Sequence, residues 1–250
     1  MISRSLARDG FVVVKNVLSK DECAGIRKEV LQGNNVHNHS DLMWKIRTHE
    51  RVVKVFQECW NTPENMLSSF DGFSHGLSSE LDWHVDINLS QPFSRMVSLQ
   101  AILSIESIDS ETGGTLLLRG SHKHAHDICT RFSTDDRSDE WQITWIDEAE
   151  EPSFRTCSIV QPQLSSGDML LWDSRTAHKV KEGLGEKARM VFYLSMVPEC
   201  FVDEETRKER MHMFKNGTTS THWVQCPIHR SDGPVPSADL QSNPKVLAMI

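Results

Sequence analysis

Residues 81–89, LDWHVDINL, constrain the fold more than any other segment. Trp83, Val85 and Ile87 alternate with His84, Asp86 and Asn88. Strict alternation is the period of a β-strand, so the segment is predicted to carry one apolar and one polar face. Buried polar groups are costly unless they are paired or bound to a metal. A strand that turns His84 and Asp86 inward together therefore needs a partner for them. Residues two apart on a strand point the same way, so imidazole and carboxylate share one side.

His-x-Asp by itself also describes an ordinary hydrogen-bonded pair. His178 adds to it. It follows the strand-like run MLLW and the turn Asp173-Ser174-Arg175-Thr176, and Arg189 comes eleven residues later at the head of the apolar run RMVFYLSMV. Gly183 and Gly185 let the chain reverse between them, so a hairpin can bring His178 and Arg189 into one cavity. Two imidazoles and one carboxylate on one face of a metal, with the other face open, suit non-haem Fe(II). Arg189 offers a planar, permanently charged fork for a carboxylate, although an arginine on a strand is by itself more often a surface residue.

Around these residues the chain reads as mainly β with flanking helices. The segment GFVVVKNVL at 10–18 reads as a strand, followed by a capping box at Ser19 and Glu22 that opens a helix. Residues 34–50 read as irregular and 51–60 as a short amphipathic helix. Strands are predicted within 66–110, at 115–118 and within 164–198, with Ser110 to Gly114 as a turn. An excursion at 121–158 is placed over the site. Residues 203–215 read as helical, and the last thirty residues, with four prolines, show no periodicity. The whole of 1–250 is expected to be a single domain: a strand–helix layer at 1–60, a core at 66–198 and a C-terminal segment at 199–250. Its architecture is a helical layer against an antiparallel barrel or sandwich.

The net charge is −8, which argues against nucleic-acid binding. Six cysteines without a C-x-x-C pair suggest neither zinc ribbon nor redox motif and fit a reducing, cytoplasmic compartment. The start MISRSLARDG lacks the apolar stretch of a signal peptide, and no run reaches the roughly 18 apolar residues of a membrane span. A small-molecule substrate is expected, with no nucleic-acid or membrane partner; the oligomeric state is not legible in this pattern.

Among other candidates, Gln100 lies within VSLQAILSI and is expected to hydrogen-bond a cosubstrate or substrate, or to satisfy a buried backbone group. Asp71 and Asp168 are assigned to turns, and Trp83 and Trp172 to the core. His122, His124 and His126 alternate, but no carboxylate at suitable spacing supports a second metal.

Four blocks carry a resemblance to the phytanoyl-CoA dioxygenase-like family of Fe(II)/2-oxoglutarate oxygenases: residues 9–30, WHVD at 83–86, TGGTLLLRGSHK at 112–123, and GDMLLWDSRTAHKV at 167–180 followed by Arg189. The resemblance spans about residues 9–197. The C-terminal segment with THW at 221–223 is more similar to uncharacterised members. It implies a double-stranded β-helix of the jelly-roll or cupin kind, with His84, Asp86 and His178 as catalytic iron ligands. It implies that Arg189 binds the distal carboxylate of 2-oxoglutarate, and that the enzyme uses Fe(II), 2-oxoglutarate and O2 to hydroxylate a substrate, releasing succinate and CO2. Asp86 separates the chain from related halogenases, which have a small residue there. Val180 departs from the family, where a Ser or Thr two residues after the distal histidine helps to hold the carboxylate; another donor is then expected. The block at 119–122 reads RGSH where the family often has PGSH. Alternatives are desaturation, ring closure or epoxidation at the same site, a metal-binding module without turnover, or a zinc or manganese cupin that uses no 2-oxoglutarate.

Overall fold

The computed structural model describes residues 2–33, 36–132 and 143–250. Helix α1 (Ile2–Asp9) leads into strand β1 (Phe11–Val14), shorter than the predicted strand because Asn16 turns left-handed at φ 55°. Helix α2 (Lys20–Leu31) starts at the predicted capping box: Ser19 Oγ accepts from Glu22 N, and the Glu22 side chain accepts from Ser19 N.

Two helices follow, α3 (Asp41–Arg47) and α4 (Glu50–Trp60). The expectation of an irregular 34–50 is corrected by α3; residues 34 and 35 lie outside the described set. Ser40 caps α3, and Leu42, Met43, Trp44, Ile46 and Arg47 are all buried. A seven-residue helix buried on nearly every side shows no amphipathic period, which hides it from pattern reading.

The core consists of strands β2 (Met66–Ser68), β3 (Phe73–Gly76), β4 (Leu81–Val85), β5 (Leu99–Ser104) and β6 (Gly114–Leu118), then helix α5 (Ala125–Phe132), strand β7 (Thr144–Trp145), helix α6 (Ser153–Thr156) and strands β8 (Ile159–Val160), β9 (Met169–Asp173), β10 (His178–Lys181) and β11 (Arg189–Pro198). One sheet runs β1-β9-β5-β11-β2 with β3 also on β11; the other runs β7-β4-β10-β6-β8. All pairings are antiparallel. The result is a cupin-like double-stranded β-helix whose two sheets form a sandwich and do not close into a barrel.

Period-2 alternation decides which side each residue takes. Leu99, Ala101 and Leu103 of β5 and Met190, Phe192, Leu194 and Met196 of β11 pack outward against the helices. Ile102, Leu117, Leu170, Trp172 and Val191 meet between the sheets. Trp83, Val85 and Ile87 pack outward with Ile128 and Cys129 of α5. The 121–158 excursion thus covers the outer face of the smaller sheet and adds β7 beside β4; its residues 133–142 lie outside the described set.

The C-terminal part is more ordered than expected. Asp203 caps α7 (Glu204–Lys215), and a hairpin of β12 (Thr218–Ser220) and β13 (His229–Asp232) precedes α8 (Ala238–Ser242) and α9 (Pro244–Leu247). Arg210 on α7 holds this segment down. Its buried guanidinium donates to the carbonyls of Ile250 (2.8 Å), Val224 (3.2 Å), Ser68 (2.6 Å) and Met249 (3.3 Å). Burial depresses its pKa to about 9, so it stays charged at neutral pH. Replacing it by methionine strips donors from buried carbonyls, and hydrogen bonds to a charged group contribute about 1.5–3 kcal/mol each. Arg210→Met is expected to lose about 3 kcal/mol or more in urea unfolding; a loss below about 1 kcal/mol would contradict the clamp.

Candidate active site

His84 lies directly opposite His178 where β4 pairs with β10. Asp86 comes just after β4, with its N–H donating to Ser174 O at 3.0 Å. The predicted trio converges. His178 Nε2 is 3.2 Å from Asp86 Oδ2, His84 Nε2 is 3.7 Å from Asp86 Oδ1, and the two imidazole centroids are 4.2 Å apart. One donor atom from each lies within 4.8 Å of the others, and all three residues are buried. Among the described residues this is the one such group of His, Cys, Asp or Glu.

The protonation pattern follows from the partners. His84 Nδ1 meets Asp82 O at 2.7 Å and His178 Nδ1 meets Thr176 O at 3.0 Å. A carbonyl only accepts, so each Nδ1 carries a proton and each ring turns its Nε2 towards Asp86. For His84, burial and the neighbouring His178 push the pKa down to about 4, which keeps it neutral at pH 7. Burial works to raise the Asp86 pKa, but the imidazoles of His222, His178 and His84 more than offset it and hold the carboxyl well below its usual range. Two imidazole Nε2 atoms and a carboxylate converging in a buried space can hold a metal ion, and this donor set fits iron.

Gln100 Nε2 donates to Asp86 Oδ2 (2.7 Å) and lies 3.1 Å from Ser174 Oγ. Its amide nitrogen is thus engaged in orienting Asp86, although the residue also lines the cavity. The cavity measures about 500 Å³ and includes the trio, Gln100 and Arg189. Arg189 is buried, and Nη2 donates to Tyr193 Oη at 2.9 Å. Its Nε and Nη1 have no partner among the described residues. A buried guanidinium with open donors matches the fork of a carboxylate. Val180 lines the cavity as expected, and Thr115 stands beside it in register across β6.

Other candidates settle as follows. Trp172 belongs to the core between the sheets, as expected, and also lines the cavity, with its ring 5.3 Å from that of His178. Asp71, assigned to a turn, also lines the cavity, and burial pushes its pKa up to about 6. Trp83 is core, with Nε1 donating to Glu148 Oε2 at 2.9 Å. Asp168 ties its turn to residues 15 and 16. His122 is buried with Nε2 3.2 Å from Ala7 O, whereas His124 is exposed. Sequence reasoning missed Asn38, Tyr193, Thr219–His222 and Arg230, which all line the cavity. Tyr193, the one tyrosine of the chain, had an available signal: it lies four residues from Arg189 on the same strand face. For His222 the signal was the THW block, which carried no role.

Residues 29–191 match the phytanoyl-CoA dioxygenase (PhyH) family. Ava biosynthesis cluster protein O of Aspergillus versicolor is 26% identical over 223 residues, covering 78% of this chain and 68% of that protein. Solved structures share the fold. EctD from S. alaskensis with bound Fe superimposes with a TM-score of 0.60 at 16% identity, over 78% of this chain and 75% of that one. The epimerase SnoN, in complex with Fe3+, alpha ketoglutarate and nogalamycin RO, gives 0.56 at 18% identity, over 78% and 81%. HygX from Streptomyces hygroscopicus with iron bound gives 0.56 at 17% identity, over 78% and 85%.

A pH dependence follows from the buried imidazoles. Burial pushes His39 down to about 3, and His84 and His222 to about 4. In the unfolded chain they protonate near pH 6.5, at about the usual histidine value. Between pH 6.5 and 4 the unfolded state then binds more protons, and stability falls as pH falls. Asp71, raised to about 6, opposes this as a single carboxyl. The thermal midpoint of the metal-free protein is expected to drop steadily from pH 7 to 4; a flat profile would contradict the assignment.

Proposed function

The chain belongs to the phytanoyl-CoA dioxygenase (PhyH) family, and we propose that His84, Asp86 and His178 are its iron ligands and Arg189 its cosubstrate anchor. The enzyme is a non-haem Fe(II)- and 2-oxoglutarate-dependent oxygenase. Bound at this trio, iron with 2-oxoglutarate and O2 supplies the oxidising power, with succinate and CO2 as coproducts. The observation that carries the residue assignment is the convergence of two Nδ1-protonated imidazoles on one buried carboxylate, with an unsatisfied arginine in the same cavity.

The chain's own groups have distinct tasks. Asp82 O and Thr176 O fix both imidazoles with Nε2 free to coordinate. Gln100 orients Asp86. Arg189 presents Nε and Nη1 to the distal carboxylate. Tyr193 Oη accepts from Arg189, so its own proton is free to donate to the same anion. That phenol, with the Thr115 hydroxyl, takes the place of the donor that Val180 lacks. Ile102, Val180 and Trp172 add apolar surface to the cavity, and a lining that excludes water strengthens an ion pair formed within it.

The substrate is a small molecule, in keeping with the cavity volume. We read its oxidation as hydroxylation, in keeping with the Asp86 carboxylate. The net charge of −8 supports the absence of a nucleic-acid partner, and no helix of the described residues is long and apolar enough to cross a membrane. Residues 1–250 are read as one catalytic unit in which the N-terminal layer, the core and the C-terminal segment all line the cavity.

His84→Ala and Asp86→Ala are each expected to abolish iron-dependent succinate formation; full activity in both would overturn the ligand assignment. Arg189→Ala is expected to raise the 2-oxoglutarate KM by about 10-fold or more, since it removes a buried charge-assisted pair; an unchanged KM would move the anchor elsewhere. Gln100→Leu is expected to weaken Fe(II) affinity by about 10–100-fold, the usual effect of removing a group that orients a metal ligand. Unaltered metal affinity with a raised 2-oxoglutarate KM would instead make Gln100 a cosubstrate contact.

A further inference from the structure

We propose that His222 is the substrate-contacting residue of this cavity, and that the substrate carries a hydrogen-bonding oxygen or nitrogen beside the carbon that is oxidised; the proposal rests on the iron and 2-oxoglutarate reading above. His222 lies beyond residues 29–191, on the C-terminal segment just after β12. It lines the same cavity as the trio. It stands close enough to Asp86 and His178 to interact with their charges, yet falls outside the group of three whose donor atoms converge. It is thus placed beside the metal position and not in its ligand set.

Its Nε2 is buried and has no hydrogen-bond partner among the described residues. A buried polar atom left unmade is unfavourable by about 1–3 kcal/mol, so a partner is expected from what enters the cavity. The ring is held in place. It lies against Trp223, which is fully buried, with centroids 5.3 Å apart. The backbone before it is tied to the core, since Ser220 Oγ accepts from Phe70 N at 3.2 Å. The residues just before it, Thr219, Ser220 and Thr221, line the cavity with it and carry hydroxyls. A hydrocarbon substrate would leave His222 unsatisfied; a hydroxyl or an N–H-bearing amide would satisfy Nε2 in either tautomer, a carbonyl would accept from Nε2–H, and an ammonium would donate to the unprotonated Nε2.

The test is anaerobic binding to protein loaded with Fe(II) and 2-oxoglutarate, followed by perturbation of the visible charge-transfer band. The probes are a panel of small alcohols, ketones, amides and amines, and a size-matched hydrocarbon panel. Wild type is expected to respond saturably to members of the polar panel. His222→Ala is expected to bind the same compounds at least 10-fold more weakly while its band forms at the same 2-oxoglutarate concentration, and His222→Gln to recover part of the loss. Equal affinity in His222→Ala overturns the proposal, as does a wild-type band that answers to no polar compound. Loss of the band in His222→Ala also overturns it, by making the residue a metal ligand. A wild-type protein without any band defeats the iron reading together with the proposal.

Discussion

Two imidazole Nε2 atoms and a carboxylate are brought together in a buried space, and the rest of the cavity is organised around that juxtaposition. A buried carboxylate is unfavourable without a positive partner, which a bound metal supplies. The fold imposes it through backbone pairing. His84 and His178 sit opposite each other on antiparallel strands, and Asp86 is fixed by the Ser174 carbonyl and the Gln100 amide. Carbonyls behind each ring leave no freedom of tautomer. Such preorganisation means that a metal enters a site whose reorganisation is already complete.

Charge burial elsewhere follows a different rule. Arg47 and Arg210 are fully buried, and their guanidiniums donate to backbone carbonyls: those of Asn38 and Asp71 for Arg47, which leaves only Nε without a partner among the described residues, and those of Ser68, Val224, Met249 and Ile250 for Arg210. Arg189 is also buried, and both its Nε and its Nη1 lack a partner among the described residues. The contrast separates arginines that hold the fold from the one that awaits an anion. Arg47 and Arg210 also serve the site indirectly, since they hold Asn38, Asp71 and the segment after α7 in the positions from which they line the cavity.

Much of the β core was legible because period 2 is strong in it. Trp83, Val85 and Ile87 pack outward, as their alternation with His84 and Asp86 required. The capping box at Ser19 is local chemistry and was read correctly. Gln100 was recognised as a polar residue in an apolar strand, but its partner Asp86 follows a strand of the other sheet, which no local pattern reveals. Helix α3 was missed because it is short and buried all round. The C-terminal wall was missed because it is made by contacts such as Phe70 with Ser220, which are 150 residues apart, and its elements are only three to five residues long. That Trp172 and Asp71 also line the cavity is not legible from residue type alone.

The most direct test of the central claim is an anaerobic titration of the metal-free protein with Fe(II) and 2-oxoglutarate, watched for the visible charge-transfer band of a chelated keto acid. Wild type should show a band that requires both components. In Arg189→Ala the band should need a markedly higher 2-oxoglutarate concentration, and in Asp86→Ala with His84→Ala it should be lost. A folded wild-type protein that binds iron but shows no band, or an Arg189→Ala titration identical to wild type, would contradict the account of the site.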